Sequence, residues 1–402
     1  MRVLLSTIGS RGDFQPLLAL ALRLKELGHE ARLCAPPDFR GLADEYGLPF
    51  VPIGPELRPA GRPGNGPKRS IEELRRLVPD TVAGQFATLG KAAEGCDVIV
   101  GCNQLQVAAR SVAELRGIRY VFADYSPISL PSPHHAPPPL PGTPPPDPAD
   151  GNRTLWAKEI ERRNATWRAA LNEHRAAAGL TPVEDVHSHI LTDRPLLAAD
   201  AALAPWPTPS ELDVVQTGAW ILPDRRPLPV ELEEFLEAGE PPIYFGFGSM
   251  LSPKSAARAA VESARALSCR AIVLRGWAEL VLLDDEPDCL AITEANLQAL
   301  FPRVAAVVHH GGAGTTTAAA RAGVPQVVVP HHYDQSYFAE RVADLGIGFA
   351  HAAADPSTDS LTEALKQVLQ PDSAARARSF APEVRTDGAR VAAEYVLLPT
   401  TR

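Results

Sequence analysis

The sequence predicts an α/β protein built from two doubly wound domains, each with a parallel sheet covered by helices. The chain has 402 residues, more than the roughly 250–300 residues at which a single hydrophobic core stops growing. Short apolar runs alternate with longer segments of helical periodicity, which is typical of parallel strands joined by helices. The alternation stops once, at a proline-containing stretch over residues 218–229, and then starts again.

The first half opens with a strand, a turn and a helix. Residues 1–8 are an apolar run that predicts a buried strand, Gly9-Ser10-Arg11-Gly12-Asp13 form a turn, and residues 15–27 have a helical pattern that stops at Gly28. Further strands are predicted over residues 31–35, 97–101, 119–123 and 214–217, and helices over residues 70–93, 106–115 and 155–178. We therefore predict an N-terminal domain over residues 1–217.

The second half repeats this alternation after an interdomain linker over residues 218–229. Its strands are predicted over residues 243–247, 271–274, 290–293, 305–308 and 326–329. We predict a C-terminal domain over residues 230–402, with a last helix that packs back on the N-terminal domain. Doubly wound sheets bind ligands at the carboxyl ends of their strands, so we expect the site in a central cleft that both domains face.

Composition and charge exclude several classes of protein. Hydrophobic residues make up 45% and charged residues 22% of the chain, as in ordinary globular proteins. The net charge of −9 argues against a nucleic-acid partner. The five cysteines lack the spacing of a metal site or disulfide framework, which predicts reduced thiols. The first apolar run is too short for a signal or membrane-spanning segment, so we expect a cytoplasmic protein without an integral membrane segment. We further expect a monomer, although no feature of the sequence determines the oligomeric state.

A glycine-rich turn, His309-His310-Gly311-Gly312-Ala313-Gly314-Thr315-Thr316, joins an apolar strand to an alanine-rich helix. Glycines let backbone N–H groups approach an anion, and the N-terminus of the helix adds a partial positive charge. The pattern therefore predicts an anion cradle that suits a diphosphate. The alternative is a turn whose glycines only allow tight packing. A P-loop, a dinucleotide fingerprint and a metal site of paired histidines fit poorly.

Six motifs follow one another along the chain. They are Gly9-Ser10-Arg11-Gly12-Asp13, Val215-Gln216-Thr217-Gly218-Ala219-Trp220-Ile221-Leu222-Pro223-Asp224, Gly246-Phe247-Gly248-Ser249, Arg275-Gly276-Trp277, the glycine turn at residues 309–316, and Asp334-Gln335. With them the chain closely resembles, over essentially its whole length, the GT-B glycosyltransferases of vancomycin-type glycopeptide antibiotic pathways. The resemblance implies inverting transfer of a sugar from a UDP- or TDP-sugar, held by the C-terminal domain, to a hydroxyl of a peptide aglycone on the N-terminal domain.

The resemblance also implies roles for individual residues. The donor diphosphate would be held by His309, Gly311, Gly312, Gly314 and Thr315, with a hydroxyl from Ser249. Arg275 and Trp277 would lie towards the nucleoside, and Asp334 with Gln335 would bind hydroxyls of the donor sugar. Ser10, Arg11 and Gly12 complete the predicted donor-binding set. For Ser10, a role at the start of the helix is favoured over contact with a ligand. For Arg11, contact with a phosphate and pairing with a nearby carboxylate are equally favoured.

Asp13 corresponds to the general base proposed for the family. Inverting substitution at an anomeric carbon needs a base for the acceptor proton and a way to stabilise the leaving diphosphate. The alternative role of Asp13 is to cap the helix that follows it. Asp334 is the rival base, and it too could simply be an N-cap; its pairing with Gln335 favours sugar recognition, because carboxylate and amide offer acceptors and donors to adjacent hydroxyls.

We expect no metal ion and no other cofactor. No Asp-x-Asp pattern stands at the end of a strand, so the charge of the leaving group would be met by His309, the backbone and the helix dipole, as the resemblance implies. A nearby diphosphate should favour the protonated form of the imidazole, whose unperturbed pKa is about 6.5.

Three other functions stay open at this point. The acceptor could be a polyketide aglycone instead of a peptide. A nucleotide-sugar 2-epimerase can share the architecture, but it needs no acceptor site, which would leave the basic loop at residues 58–68 and the proline-rich segment at residues 127–148 without a purpose. A non-catalytic nucleotide-sugar-binding protein is disfavoured by the presence of Asp13, His309 and the Asp334-Gln335 pair.

Overall fold

The computed structural model describes residues 1–57, 71–138, 147, 149–246, 254–276, 284, 286–352 and 355–399. These residues form two parallel sheets, one of seven strands and one of six, together with the helices that connect the strands. The predicted α/β architecture of two doubly wound sheets is therefore confirmed.

The first sheet has the strand order β3-β2-β1-β4-β5-β6-β7, and every pairing is parallel. Its strands are β1 (Arg2–Thr7), β2 (Glu30–Ala35), β3 (Phe50–Pro52), β4 (Val98–Cys102), β5 (Arg119–Asp124), β6 (Leu196–Leu197) and β7 (Val215–Gln216). Its helices are α1 (Arg11–Glu26), α2 (Arg40–Glu45), α3 (Ile71–Ala92), α4 (Ala109–Arg116), α5 (Asn152–Ala177) and α6 (Val186–Leu191). The strand order reverses between β1 and β4, where such sheets bind ligands.

The second sheet has the order β10-β9-β8-β11-β12-β13 and is also parallel throughout. Its strands are β8 (Ile243–Gly246), β9 (Ala271–Leu274), β10 (Cys289–Ile292), β11 (Ala306–His309), β12 (Gln326–Val328) and β13 (Gly348–Ala350). The helices of this half are α7 (Val230–Glu237), α8 (Lys254–Ala266), α9 (Leu297–Leu300), α10 (Ala313–Ala322), α11 (Gln335–Asp344), α12 (Thr358–Val368), α13 (Pro371–Phe380) and α14 (Gly388–Val396). Its order reverses between β8 and β11, so the glycine turn lies at this second switch point.

Helix α1 begins at Arg11 and not at residue 15, where the apolar periodicity alone placed its start. The reason is a capping box: Ser10 Oγ accepts a hydrogen bond from the backbone N–H of Gly12 at 3.3 Å, and the Asp13 carboxylate accepts one from the backbone N–H of Ser10 at 2.8 Å. These bonds satisfy backbone donors that a helix N-terminus otherwise leaves unpaired. The polar residues of the turn therefore belong to the helix.

The linker stretch at residues 218–229 is fixed from both sides. The Trp220 side chain is buried in the core of the first sheet, and its Nε1 donates a hydrogen bond to Thr217 Oγ1 at 2.9 Å. On the other side, Gln298 Nε2 donates to the carbonyl of Leu222 at 2.7 Å. The linker is thus held by hydrogen bonds and by a buried aromatic anchor.

The last helix, α14, lies against α1 of the first half of the chain. Its apolar face joins the same buried core as Phe14 and Leu17 through Ala389, Ala392, Ala393 and Val396. The approach of the chain segments is close at Gly388, where a Cβ atom would come within 2.5 Å of the carbonyl oxygen of Gly218. Glycine is required at that contact because any side chain would collide with backbone atoms.

Neither disulfides nor membrane-spanning helices are found among the described residues. All five cysteines carry free thiols, and four of them are buried. Within the ranges that the structure describes, no helix combines the length and the apolar character needed to cross a membrane.

Candidate active site

Asp13 lies just beyond the carboxyl end of β1, at the switch point of the first sheet. Its Oδ2 accepts a hydrogen bond from the backbone N–H of Ser10 at 2.8 Å, and its Oδ1 accepts one from Asn103 Nδ2 at 3.1 Å. Its backbone carbonyl accepts a third from Tyr125 Oη at 2.8 Å. Burial raises the pKa of the Asp13 carboxyl, and the hydrogen bonds to its oxygens oppose that shift. Ser10 is the N-cap, so Asp13 completes the capping box as an oriented, half-buried carboxyl group.

Three carboxyl groups from different elements meet at this place. Asp124 ends β5, and Asp334, which comes from the second half of the chain, precedes α11. Burial raises the pKa of Asp124 to about 6 and the pKa of Asp334 to about 7, and repulsion from Asp13 adds to both shifts. The group of carboxyls therefore spans the cleft, and two of its members titrate near neutral pH, as functional groups often do.

Asp124 was not among the predicted site residues. Its side chain is 6% exposed, and its Oδ1 accepts hydrogen bonds from the backbone N–H groups of Tyr125 at 2.8 Å and Ser126 at 3.3 Å. Its position could have indicated a role in the site, since an acidic residue at the carboxyl end of a buried parallel strand lies at the edge where these sheets bind ligands.

Arg11 is paired with a carboxylate of the second half of the chain. Its Nη2 lies 2.6 Å from Glu294 Oε1, and Arg226 of the linker stretch reaches the same oxygen at 3.1 Å. Of the two roles considered for Arg11, the structure shows the carboxylate contact, and the phosphate contact stays a prediction. Gly12, beside it, is exposed.

His309 ends β11 and is completely buried. Its Nδ1 accepts a hydrogen bond from the backbone N–H of Gly311 at 3.0 Å, and its Nε2 lies 2.8 Å from Gln326 Oε1. Because a backbone amide can only donate, Nδ1 is unprotonated and Nε2 carries the hydrogen that Gln326 accepts. Burial lowers the pKa of His309 to about 4. The imidazole is therefore neutral here: its Nδ1 holds the glycine turn and its Nε2 is bonded to β12. Protonation beside a diphosphate stays a prediction.

His310 was not among the predicted site residues, and its hydrogen bonding differs from that of His309. Its Nδ1 is buried and has no hydrogen-bond partner in the described part of the chain. Burial lowers the pKa of His310 to about 3, and the neighbouring His309 adds to the shift. The signal for this residue was available, because successive side chains leave a strand on opposite faces. If the first histidine is buried, the second turns towards the other side.

The glycines of the turn have two different roles. Gly311 has a φ of +89°, and a Cβ atom there would lie 2.7 Å from Val328 Cγ1 and 2.9 Å from the carbonyl of Gln335, so this glycine allows tight packing. Gly312 is the N-cap of α10. Gly314 is exposed with open space where a Cβ would be, next to the half-buried Thr315. The tight-packing interpretation therefore applies to Gly311, and the anion cradle stays a prediction that the open space at Gly314 allows.

The side chains of Asp334 and Gln335 make different contacts. Asp334 stands at the N-cap position of α11, but its side chain makes no capping bond. Gln335 is buried, and its Oε1 accepts hydrogen bonds from the backbone N–H groups of His331 at 2.8 Å and His332 at 3.2 Å. Gln335 thus orders the loop before α11, while Asp334 keeps its carboxyl among the other two acidic groups.

Of the remaining predicted residues, Arg275 is described by the structure. Arg275 follows β9 with an exposed side chain, and its backbone N–H donates to Ile292 O at 2.8 Å. Ser249 and Trp277 lie outside the described residues. Among the residues that the structure describes, no group of three or more histidine, cysteine, aspartate or glutamate side chains is placed to hold a metal ion.

Two family models match the chain, one in each half. Residues 3–97 match the glycosyltransferase family 28 N-terminal domain, and residues 278–392 match the C-terminal domain of erythromycin biosynthesis protein CIII-like proteins. Solved structures share the fold over nearly the whole chain. The glycotransferase of kitacinnamycin has a TM-score of 0.75 at 21% identity, with 98% of each chain covered, and VinC in complex with dTDP has 0.68 at 22%, with 98% of this chain and 100% of that one.

These matches, with the two facing switch points, define a glycosyltransferase of GT-B fold. The full-length relatives from Amycolatopsis orientalis include glycosyltransferase GtfE at 51% identity (98% of this chain, 97% of that one), vancomycin aglycone glucosyltransferase at 49% (100% and 98%), and dTDP-epi-vancosaminyltransferase at 45% (94% and 92%). The chain belongs to the family of vancomycin-type glycopeptide antibiotic glycosyltransferases, as its motifs predicted.

Proposed function

We propose that this enzyme transfers a sugar, with inversion and without a metal ion, from a UDP- or TDP-sugar to a hydroxyl of a glycopeptide antibiotic aglycone. The C-terminal domain, residues 230–402, would bind the donor, and the N-terminal domain, residues 1–217, the acceptor. The names of the relatives support these substrate classes, since they include an aglycone glucosyltransferase and a dTDP-sugar transferase. A cytoplasmic, monomeric enzyme acting on small molecules fits this proposal.

The observation that carries the proposal is the oriented carboxyl of Asp13 at the cleft. As the acceptor oxygen bonds to the anomeric carbon, its proton passes to Asp13, and the bond between that carbon and the diphosphate oxygen breaks. Attack on the face opposite the leaving group inverts the anomeric configuration. The raised pKa of Asp13 favours this role, because a carboxyl with a higher pKa is a stronger base once it is ionised.

The donor diphosphate would lie at the N-terminus of α10. Backbone N–H groups near Gly314 and the hydroxyl of Thr315 are at the open end of this helix, where its partial positive charge favours anions. His310 Nδ1, buried without a partner among the described residues, is the ring nitrogen best placed to complete the site. His309 would act indirectly by fixing the turn. These groups supply the charge stabilisation that a divalent ion gives in other transferases.

Asp334 would bind a hydroxyl of the donor sugar. Its pKa of about 7 lets it act as a donor when protonated or as an acceptor when ionised. Gln335 would support it by fixing the loop before α11, and it could reach the sugar only through rearrangement of its bonds to that loop. Arg275, Trp277 and Ser249 keep their proposed places around the nucleoside and the diphosphate.

The test is mass spectrometry of a glycopeptide aglycone incubated with the enzyme and a panel of UDP- and TDP-sugars. We expect one added sugar, retained in the presence of a chelator, and an anomeric coupling in the NMR spectrum of the product that shows inversion. Asp13→Asn should keep nucleotide binding, measured by calorimetry, while turnover falls at least about 10²-fold.

The other outcomes separate the alternative functions. Adducts only with a polyketide aglycone would replace the acceptor class, and isomerised donor sugar without any adduct would indicate a 2-epimerase. Loss of turnover with the chelator, restored by a divalent ion, would contradict metal independence. Retention of the donor's anomeric configuration would contradict the direct displacement by the acceptor.

A further inference from the structure

We propose that Asn103 is a positioning residue for Asp13: its side-chain amide holds the Asp13 carboxylate in the orientation that proton transfer from the acceptor requires. Asn103 directly follows β4, which neighbours β1 at the switch point of the first sheet. The inference rests on the proposed function, because it takes Asp13 to be the base.

The Asn103 carboxamide is fixed at both of its ends. Its Nδ2 lies 2.9 Å from the carbonyl of Ile8, 3.1 Å from Thr7 Oγ1 and 3.1 Å from Asp13 Oδ1. Its Oδ1 accepts a hydrogen bond from the backbone N–H of Leu105 at 3.0 Å. The amide nitrogen has only two hydrogens for these three acceptors, so one hydrogen is shared between two acceptors. The amide thereby ties Asp13 Oδ1 to the carboxyl end of the strand from which α1 starts.

The backbone of Asn103 has a conformation that few side chains adopt readily. Its φ is +63°, in the left-handed region, and its backbone N–H donates to the carbonyl of Ala123 at 3.0 Å. Glycine adopts this conformation without steric cost, whereas asparagine adopts it at some cost. Strained residues of this kind gather at functional sites.

The surroundings of Asp13 make that amide important for its charge. The titratable groups that act on Asp13 from neighbouring elements are Asp124, Tyr125 and Cys102 in the first half and Asp334 across the cleft. All four are acids that become negative on ionisation, and none offers Asp13 a positive charge. Of the hydrogen bonds that lower the pKa of Asp13 against the effect of burial, the bond from Asn103 contributes most.

The experiment compares Asn103→Gly with the wild type in the transfer assay. Glycine keeps the left-handed backbone and removes only the amide. Since a hydrogen bond to a charged group is lost, we expect kcat to fall about 10- to 100-fold. The KM for the donor should stay within about twofold. The acid limb of the kcat profile should move to higher pH, and further still in Asn103→Asp, which adds a like charge beside Asp13.

Two further variants separate positioning from a general effect on folding. Ser268→Gly is the matched control, because Ser268 also has a positive φ, of 55°, but precedes the amino end of β9, away from the carboxyl edge. It should leave kcat and its pH profile unchanged. If Asn103 acts only through Asp13, adding Asn103→Gly to Asp13→Asn should cause no further loss of turnover. Circular dichroism melts check that each variant is folded.

The outcomes distinguish this inference from the proposed function. If Asp13→Asn abolishes turnover while Asn103→Gly changes neither kcat nor the acid limb, the positioning role is overturned and the base assignment stands. Multiplicative losses in the double variant, or a loss of kcat with an unmoved pH profile, would also overturn it, because a merely structural role predicts both. If Asp13→Asn keeps full turnover, the base assignment itself fails.

Discussion

Replacing Asp334 by asparagine should change how the stability of the protein depends on pH. Burial and repulsion from Asp124 and Asp13 raise the pKa of Asp334 from 3.8, its ordinary value, to about 7. Between these values the folded protein keeps the Asp334 proton while the unfolded chain loses it. The protonated carboxyl therefore contributes stability that is complete below about pH 4 and is lost as the pH rises through about 7.

The size of this effect follows from the two pKa values. At about 1.4 kcal/mol for each pH unit between 3.8 and about 7, the full loss is about 4 kcal/mol, and the part that falls between about pH 5 and pH 8 is about 3 kcal/mol. Asparagine has the same shape and cannot ionise, so the variant should escape the loss.

The assay is urea unfolding of the wild type and Asp334→Asn at pH 5 and pH 8, followed by circular dichroism. We expect the free energy of unfolding of the wild type to fall between pH 5 and pH 8 by up to about 3 kcal/mol more than that of the variant. Asp344→Asn is the matched control, because this exposed carboxylate lies at the other end of the same helix. Parallel pH dependence in the wild type and Asp334→Asn would refute the reasoning.

Three further predictions test other parts of the site. Gly311→Ala should lower the free energy of unfolding by at least about 2 kcal/mol because of its positive φ and its close contacts, whereas Gly314→Ala, in open space on a helix, should keep it or raise it by up to about 1 kcal/mol; denaturant titrations compare the two, and equal losses would contradict the different roles. Arg11→Met should change stability by less than about 1 kcal/mol, because both side chains of its pair with Glu294 are more than one-third exposed, and a larger loss in urea would show that the ion pair is worth more than its exposure allows. His310→Ala should weaken nucleotide diphosphate binding at least about tenfold in calorimetry without changing the melting temperature, and unchanged affinity would place the diphosphate elsewhere.

Much of the fold could be predicted because the central strands of each sheet, such as β4, β8 and β11, are buried along their whole length. Runs such as residues 1–8 and 305–308 are continuously apolar and stand out from their surroundings. β6 has only two residues, Leu196–Leu197, too few for any periodicity, and was not predicted. The start of α1 was placed too late because its first turn, from Arg11, is polar and depends on a capping box.

The resemblance to the family pointed to Asp13 and Asp334 as site residues. Their places after the ends of strands agreed with that assignment. The orientation of His309 depends on Gln326, which belongs to a different strand, and the hydrogen bond from Asn103 joins groups that follow two separate strands. Such contacts are fixed by packing between elements, and spacing along one segment of the chain contains no information about them.

The contact between α14 and α1 has a consequence for experiments that divide or exchange the domains. The helix that carries Asp13 completes its apolar core only when the last helix of the chain arrives, through Ala392 and Val396 among others. A fragment ending at residue 217 would expose that apolar face to water and should aggregate. Chimeras between relatives should therefore take residues 388–396 from the parent that supplies the first 217 residues. During synthesis, α1 reaches its final packing only after residues 388–396 have been made.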